Sequence, residues 1–277
     1  MKIIAELCQN HNGDFDTLHH MIKSAAKSGA DIIKIQSIKA DRLKKNDEYE
    51  GYRPFEPEYA RLKGLELSFE DEINFIKICN QYAVEPMTTV FDPADADYFN
   101  ELGYDFLKLS GYSIPKFEYG LSLSKFRFKK LFFSTSSLTL EEIERTVTNL
   151  RAKSIDFTML HCICAYPTPL EKLNLQNIQF YKTHLGLTSI GLSDHSDPHS
   201  DNLLSTKLAI FAGIDAIERH FTVLDKDETR DGKVSVTPEM LSELKRFASL
   251  PKEMQYKDLN QFDDTQKFNH DFYRKRF

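Results

Sequence analysis

Apolar runs of strand length alternate along this chain with stretches whose apolar positions recur at helical spacing, and the alternation repeats eight times. The strand-length runs cover residues 3–7, 31–36, 84–90, 104–110, 130–135, 156–161, 188–192 and 215–221. Helical patterning follows near residues 14–28, 69–82, 93–102, 118–125, 140–153, 175–184, 200–212 and 238–250. Repeated βα units predict a parallel sheet, and eight of them within about 250 residues predict a single-domain α/β fold, the (β/α)8 TIM barrel. The rival, an open doubly wound sheet, usually has fewer strands and a glycine-rich first turn. The first turn here reads QNHNGD and has no such glycine pattern. The barrel is expected over residues 1–250, leaving residues 251–277 as a C-terminal tail whose Tyr256, Phe262, Phe268, Phe272 and Tyr273 suit an aromatic helix docked on the barrel.

Helix entry signals support the pattern: Asp14 precedes the first helix, Ser68 with Asp71 flanks the next, and Thr139 with Glu142 has capping-box spacing. The connection over residues 40–67 is much longer than an ordinary βα loop and is expected to be a binding segment or lid, with Tyr49, Tyr52, Arg53 and Phe55 available to cover a ligand. Its charge content makes disorder the alternative.

Composition narrows the function classes. A chain of 277 residues with 41% hydrophobic content builds one substantial core. A net charge of −6 and a pI near 5.9 argue against nucleic-acid binding, so any anionic ligand must be held by local lysines. No apolar run approaches membrane-span length and no secretory leader precedes the first strand, so a cytoplasmic protein is expected. Cys8, Cys79, Cys162 and Cys164 lack zinc-type spacing and read as free thiols, partly in the core.

The chemistry lies where polar residues close otherwise apolar runs, because the C-terminal ends of barrel strands carry the active site. Glu6 ends the first run, Lys34 and Gln36 the second, Thr88 and Thr89 the third, and Lys108 the fourth. Ser134, Thr135 and Ser136 follow, then His161 and Tyr166, Ser193 and His195, and finally Glu218 and His220. Lys and Glu are almost never buried without partners, so solvated strand ends account poorly for such a series. Residues 189–222 are the most telling stretch, since period-two alternation puts Ser193 with His195 on one face and Glu218 with His220 on another. Two imidazoles at equivalent strand ends with an acidic neighbour suit a divalent transition metal, whereas a lone histidine would more often cap a strand. Lys34 and Lys108, with hydroxyls from Thr89, Ser136 and Ser193, suit a phosphate and a carboxylate. A metal there would polarise a carbonyl, and Glu6 or Glu218 would exchange protons or bind sugar hydroxyls. Together these features describe a condensation site, with a metal-dependent aldolase still open.

Eight ordered segments, IIAELCQNHNGD, SGADIIKIQS, LELSFEDE, MTTVFDPADADYFNELGYDFLKLS, FFSTSSLTLEEI, MLHCICAYPTP, IGLSDHS and AIERHFT, make the chain resemble the sialic acid (N-acetylneuraminate) synthase family from about Ile3 to Leu244. The resemblance implies an aldolase-like barrel that condenses phosphoenolpyruvate with an open-chain N-acetylated amino sugar such as N-acetylmannosamine. It implies a 3-deoxy-nonulosonic acid and phosphate as products, with C–O cleavage, and a place in carbohydrate biosynthesis. It also implies a divalent ion, manganese first with magnesium or cobalt as alternatives. By motif position, His195 and His220 match the metal ligands, and Lys34, Thr89, Lys108 and Ser193 match the phosphoenolpyruvate contacts. Glu6, Gln36, Tyr166 and Asp231 match the acceptor side.

Three departures stand out. The family's acid after the lysine-containing strand is replaced in Leu109-Ser110-Gly111-Tyr112-Ser113, so the water-activating carboxylate is expected elsewhere than Ser113. Cys164 stands where Asn or Ser is usual, and Glu228-Thr229-Arg230-Asp231 replaces a Pro-Gly-Pro-Asp turn. The family's C-terminal antifreeze-like domain has no counterpart in the tail, so acceptor cover is expected from residues 40–67 or from a separate antifreeze-like protein; a homo-oligomer is a further open partner. Two other functions stay open: the same chemistry on a shorter or phosphorylated sugar, and a non-catalytic sugar-binding barrel.

Overall fold

The structure is a computed structural model and describes residues 1–250 and 264–276. Eight strands form the barrel: β1 (Lys2–Cys8), β2 (Ile32–Gln36), β3 (Glu85–Val90), β4 (Phe106–Leu109), β5 (Lys130–Ser134), β6 (Phe157–Cys162), β7 (Ile190–Asp194) and β8 (Ala216–Phe221). Every neighbouring pair is parallel, the spatial order is the sequence order, and pairing of β1 with β8 closes the cylinder. A short β9 (Ser235–Val236) pairs with the C-terminal end of β8.

The helices are α1 (Phe15–Lys27), α2 (Phe55–Leu65), α3 (Phe69–Gln81), α4 (Ala96–Leu102), α5 (Leu140–Ala152), α6 (Gln176–His184), α7 (Pro198–Asp201), α8 (Leu204–Phe211), α9 (Pro238–Ala248) and α10 (Asp264–Arg276). The anticipated caps are made: Asp14 accepts from the Thr17 N–H, and Ser68/Asp71 and Thr139/Glu142 both form reciprocal capping boxes.

Two apolar layers result from strand alternation. Outward-facing residues such as Ile3, Ile33, Leu107 and Ile217 pack against the helices in the main core. Inside the barrel floor, Ile4, Ile32, Met87, Phe132, Leu160 and Ala216 form a separate cluster. Gly191 belongs to this floor, where an added Cβ would lie 2.2 Å from the Ala216 carbonyl oxygen and 2.7 Å from Leu160 Cδ2. Gly191→Ala is therefore expected to destabilise the barrel by about 1–3 kcal/mol through overpacking, measured as a lower denaturant midpoint with an unchanged slope.

On the outer face of β7 and β8, an ion pair is buried between strands and helices. Arg219 Nη1 lies 2.9 Å from Asp194 Oδ2, and Asp194 also accepts from Ser205, Thr206 and the Ser196 N–H. Burial alone would raise the Asp194 carboxyl, but Arg219 and these donors outweigh it and hold the group at about 2. Arg219 Nη2 reaches the carbonyls of Ser196 and Val234 at 2.9 and 3.3 Å. This network ties together the two strands that carry His195 and His220.

The structure corrects three expectations and decides a fourth, between a binding segment and disorder over residues 40–67. Residues 118–125 do not form an α-helix: they lie within a 3-10 segment (Gly111–Lys125) in which Glu118 and Tyr119 have φ of 51° and 55°. The helix expected over 200–212 is split into α7 and α8 by left-handed Asn202 and Leu203. The long connection over 40–67 is ordered around α2. A helix does form in the tail, but Phe268, Phe272 and Tyr273 on α10 are exposed; Tyr256 and Phe262 lie outside the described residues.

Candidate active site

Alternation sends every second strand residue into the barrel. At the C-terminal ends these are Glu6 (β1), Lys34 (β2), Thr89 (β3), Lys108 (β4), Ser193 (β7) and Glu218 (β8), all buried. Lys34 Nζ rests against Glu6 Oε2 and donates to Thr89 Oγ1 at 3.1 Å. Lys108 Nζ donates to Glu218 Oε1, which also accepts from Ser193 Oγ at 3.0 Å and lies 3.7 Å from Lys34 Nζ. Two lysines thus balance two glutamates, which is how four charges tolerate burial together. Glu218 Oε2 is buried with no hydrogen-bond partner.

Environment tunes these groups. Burial pulls the Lys34 ammonium down to about 7, against the attraction of Glu218. For Glu218, burial acts upward, but Lys108 and Lys34 overcome it and hold the carboxyl below the usual range.

His195 follows β7 and His220 lies in β8, with ring centroids 5.2 Å apart. The Tyr166 ring is 4.2 Å from His195 and 6.0 Å from His220. Burial lowers His195 to about 4 and His220 to about 3, so both are neutral imidazoles with a lone pair to offer. His195 Nδ1 sits 3.0 Å from the Ile163 carbonyl oxygen, an arrangement that leaves Nε2 as the acceptor. His220 Nδ1 is buried without a hydrogen-bond partner, and Asp231 Oδ2 stands 3.5 Å from it.

These residues surround two connected spaces. An inner cavity of about 70 Å³ is lined by Glu6, Lys34, Thr89, Lys108, Ser193, Glu218, His195 and His220, together with Ser136. Above it an outer chamber of about 880 Å³ is lined by Asp231, Arg42, Arg53, Arg61 and Arg230. Gln36, Phe91, Tyr112, Cys164, Tyr166 and His220 line both and form the wall between them. The twelve residues given roles from the sequence meet in this one place, whereas Thr88, Thr135 and His161, from the same series of strand-end polar residues, line neither space; Thr88 pairs with Ser37 and His161 with the Leu173 carbonyl. Among the basic residues of 40–67, Arg42, Arg53 and Arg61 line the outer chamber, while Lys44 and Lys45 do not.

The departures from the family pattern have structural counterparts. Ser113 is fully buried and its hydroxyl donates to the Ser110 carbonyl at 2.9 Å, away from the cavity. Gly111, two residues earlier, passes so close to the segment after β5 that a Cβ would meet the Ser136 carbonyl oxygen at 1.7 Å. The carboxylates that do line the inner cavity are Glu6 and Glu218. The turn carrying Asp231 is fastened to the first βα loop: Thr229 donates to Asn10 Oδ1 at 2.8 Å, Asn12 donates to the Glu228 carbonyl at 3.0 Å, and Asn10 donates to the Phe221 carbonyl and Ser235.

Sequence reasoning missed Cys8, Glu58, Arg61, Tyr112 and Arg230. Cys8 is two residues beyond Glu6 on the same strand, so alternation already placed it toward the mouth. The arginines meet only because α2 folds back over the barrel: Arg61 donates twice to Glu58, at 2.9 and 2.8 Å, and Arg53 and Arg230 stand 3.7 and 3.6 Å from the same carboxylate.

Comparison with known proteins gives the family and the fold. The model of the NeuB family matches residues 21–255. The N,N'-diacetyllegionaminic acid synthase of Campylobacter jejuni is 33% identical over 252 residues, covering 87% of this chain and 73% of that protein. The synthase of the same name from Legionella pneumophila is 32% identical, covering 87% and 69%. In fold, the chain superposes on the N-acetylneuraminic acid (sialic acid) synthetase of Leptospira borgpetersenii with a TM-score of 0.84, at 23% identity and covering 98% of this chain and 90% of that one. Matched by the family model over residues 21–255 and by relatives 33% and 32% identical across 87% of its length, the chain belongs to the NeuB family of sugar-acid synthases.

Proposed function

We propose that this barrel condenses phosphoenolpyruvate with an open-chain N-acetylated amino sugar to give a 3-deoxy-nonulosonic acid and phosphate. The observation that carries the reading is the buried quartet of Glu6, Lys34, Lys108 and Glu218 directly beneath two neutral imidazoles. In the free protein each lysine rests on a glutamate, and these pairs fill the space that an anion would take. Phosphoenolpyruvate exchanges them, bringing its phosphate and carboxylate to Lys34, Lys108, Thr89 and Ser193.

The new C–C bond forms between the methylene carbon of phosphoenolpyruvate and the aldehyde carbon of the sugar, whose oxygen takes a proton. Water adds to the adjacent phosphoenolpyruvate carbon, and its C–O bond to phosphate then breaks, leaving the ketone. Glu218 Oε2, held ionised and without a partner, accepts the proton from this water in place of the missing acid near Ser113. Lys34, with its pKa brought near 7, is suited to hand a proton to the developing alkoxide. His195 and His220 fit a divalent ion, because both are neutral and the buried Nδ1 of His220 has no hydrogen-bond partner. When bound, such an ion supplies Lewis-acid polarisation of the aldehyde. Gln36, Ser136, Tyr166 and Asp231 border the path of the sugar.

A second reading concerns the acceptor. Arg53, Arg61 and Arg230 share the single carboxylate of Glu58 on the wall of the outer chamber, leaving surplus positive charge for a phosphorylated sugar. Phosphate release from phosphoenolpyruvate across N-acetylmannosamine, its 6-phosphate, diacetamido hexoses and a pentose phosphate tests both readings. Release is expected only with an N-acetylated acceptor, and in isotopically labelled water the phosphate should stay unlabelled. A lack of release with any acceptor would favour a non-catalytic sugar-binding barrel, and preference for the 6-phosphate would establish the second reading.

A further inference from the structure

The thiol at the end of β1 is left unexplained by this mechanism. Pairing of β1 with β2 slips between Glu6 and Cys8, and Cys8 adopts a φ of 48°, a left-handed conformation that L-residues other than Asn and Asp rarely enter. Its N–H is tied to Glu6 Oε1 at 2.7 Å. The slip and the turn bring Cys8 Sγ to the wall of the outer chamber, where it donates to Asp231 Oδ2 at 3.0 Å. The same carboxylate oxygen stands 3.5 Å from His220 Nδ1, and one donor atom from each of the three residues lies within 4.8 Å of the other two. His220 is only 4% exposed, and its Nδ1 has no hydrogen-bond partner. A thiol that merely satisfied Asp231 would leave that nitrogen unpaired and the strained turn without a purpose.

We propose that Cys8 and Asp231 join His220 as ligands of the divalent cation ascribed above to the two histidines, adding a thiolate and a carboxylate to its imidazole donors. The inference rests on the metal reading for His220 and extends it: Asp231 is a ligand rather than only a sugar contact, and the donor set is mixed sulfur, nitrogen and oxygen. On binding, the thiol proton that now bridges to Asp231 is released to solvent and a sulfur–metal bond takes its place. A thiolate donor favours softer ions, so Zn2+, Fe2+ or Co2+ are preferred over Mn2+ and Mg2+, contrary to the manganese expected from the family resemblance.

The experiment is Co2+ titration of the full chain after removal of metals by chelator, followed by near-ultraviolet absorption. A thiolate-to-cobalt charge-transfer band and release of a proton are expected in the wild type, and Cys8→Ser should lose the band. Cobalt affinity should fall about tenfold or more in that variant, since losing a direct ligand costs at least as much as losing an outer-shell partner. X-ray absorption at the cobalt edge of the wild type should find one sulfur neighbour, a measurement that needs no variant. Cobalt bound by nitrogen and oxygen alone overturns the inference while leaving the metal reading of the histidines intact. Cys162 Sγ stands 3.8 Å from His195 Nδ1, so a sulfur signal that survives Cys8→Ser points to Cys162 and also overturns it. Failure of the wild type to bind cobalt, with phosphate release indifferent to chelator, overturns this inference and the metal reading together.

Discussion

Lys108→Met is expected to raise the phosphoenolpyruvate dissociation constant at least tenfold, a loss of about 1.4 kcal/mol, and to cost stability as well. The side chain is a buried cation whose partner in the free protein is Glu218. Its removal leaves that carboxylate at 2% exposure with Lys34 at 3.7 Å as the remaining cation. Breaking a buried pair from one side typically costs about 3–5 kcal/mol, because the surviving charge stays desolvated. The two effects separate in the double variant Lys108→Met/Glu218→Gln, in which stability should largely return while phosphoenolpyruvate affinity stays low. Lys34→Met should weaken binding similarly. Calorimetry giving wild-type affinity for both single variants would remove the lysines from the anion site.

Lys34 also sets a pH dependence. Burial lowers its pKa to about 7 in the free protein, so the cation is fully present below that value and is lost as pH rises through it. Affinity for the phosphoenolpyruvate anion should therefore weaken from pH 6.5 to 9, less steeply in Lys34→Met. Affinity rising with pH would reverse the assignment.

His195→Ala and His220→Ala should each strip the protein of divalent metal after dialysis and lower turnover about a hundredfold or more, as expected when several kcal/mol of Lewis-acid stabilisation is lost. His220 is expected to have the larger effect, because its Nδ1 is buried without a hydrogen-bond partner and it lines both spaces. Metal content by atomic spectroscopy and phosphate release by coupled assay check the two halves separately. Unchanged metal and unchanged turnover in both variants would show that the imidazoles are structural.

The barrel and the inner site were legible because both depend on period-two alternation, a local property. Glu6, Lys34, Thr89, Lys108, Ser193 and Glu218 could each be assigned to the interior from their own strands. Their partners could not: whether Lys108 would meet Glu6 or Glu218 depends on the stagger of strands around the closed barrel, to which no single segment testifies. Backbone exceptions were equally silent. Glu118, Tyr119, Asn202 and Leu203 adopt positive φ although none is glycine, and Gly120, at φ 97° beside the first pair, was not read as a break, so a continuous helix was expected in each place. Cys8 was read with the other cysteines only as a free thiol, since a buried cysteine usually carries no chemistry; the slip between β1 and β2 and the approach of Asp231 give it another role. Residues 40–67 looked like a charged loop, yet Glu58 gathers three arginines and gives α2 a reason to sit over the mouth.

The nesting of the two spaces bears on the order of events in time. The inner cavity opens toward the outer chamber through the wall of Gln36, Phe91, Tyr112, Cys164, Tyr166 and His220. A sugar settled in the chamber therefore stands across the route to the lysines. If the proposed condensation holds, phosphoenolpyruvate is expected to arrive first, and an excess of acceptor to trap the protein in an unproductive complex. Steady-state kinetics should accordingly be sequential and ordered, with inhibition at high acceptor that rising phosphoenolpyruvate relieves. On the way out the sequence inverts: the long sugar acid vacates the chamber before phosphate can leave, so free phosphate should compete with phosphoenolpyruvate and not with the sugar.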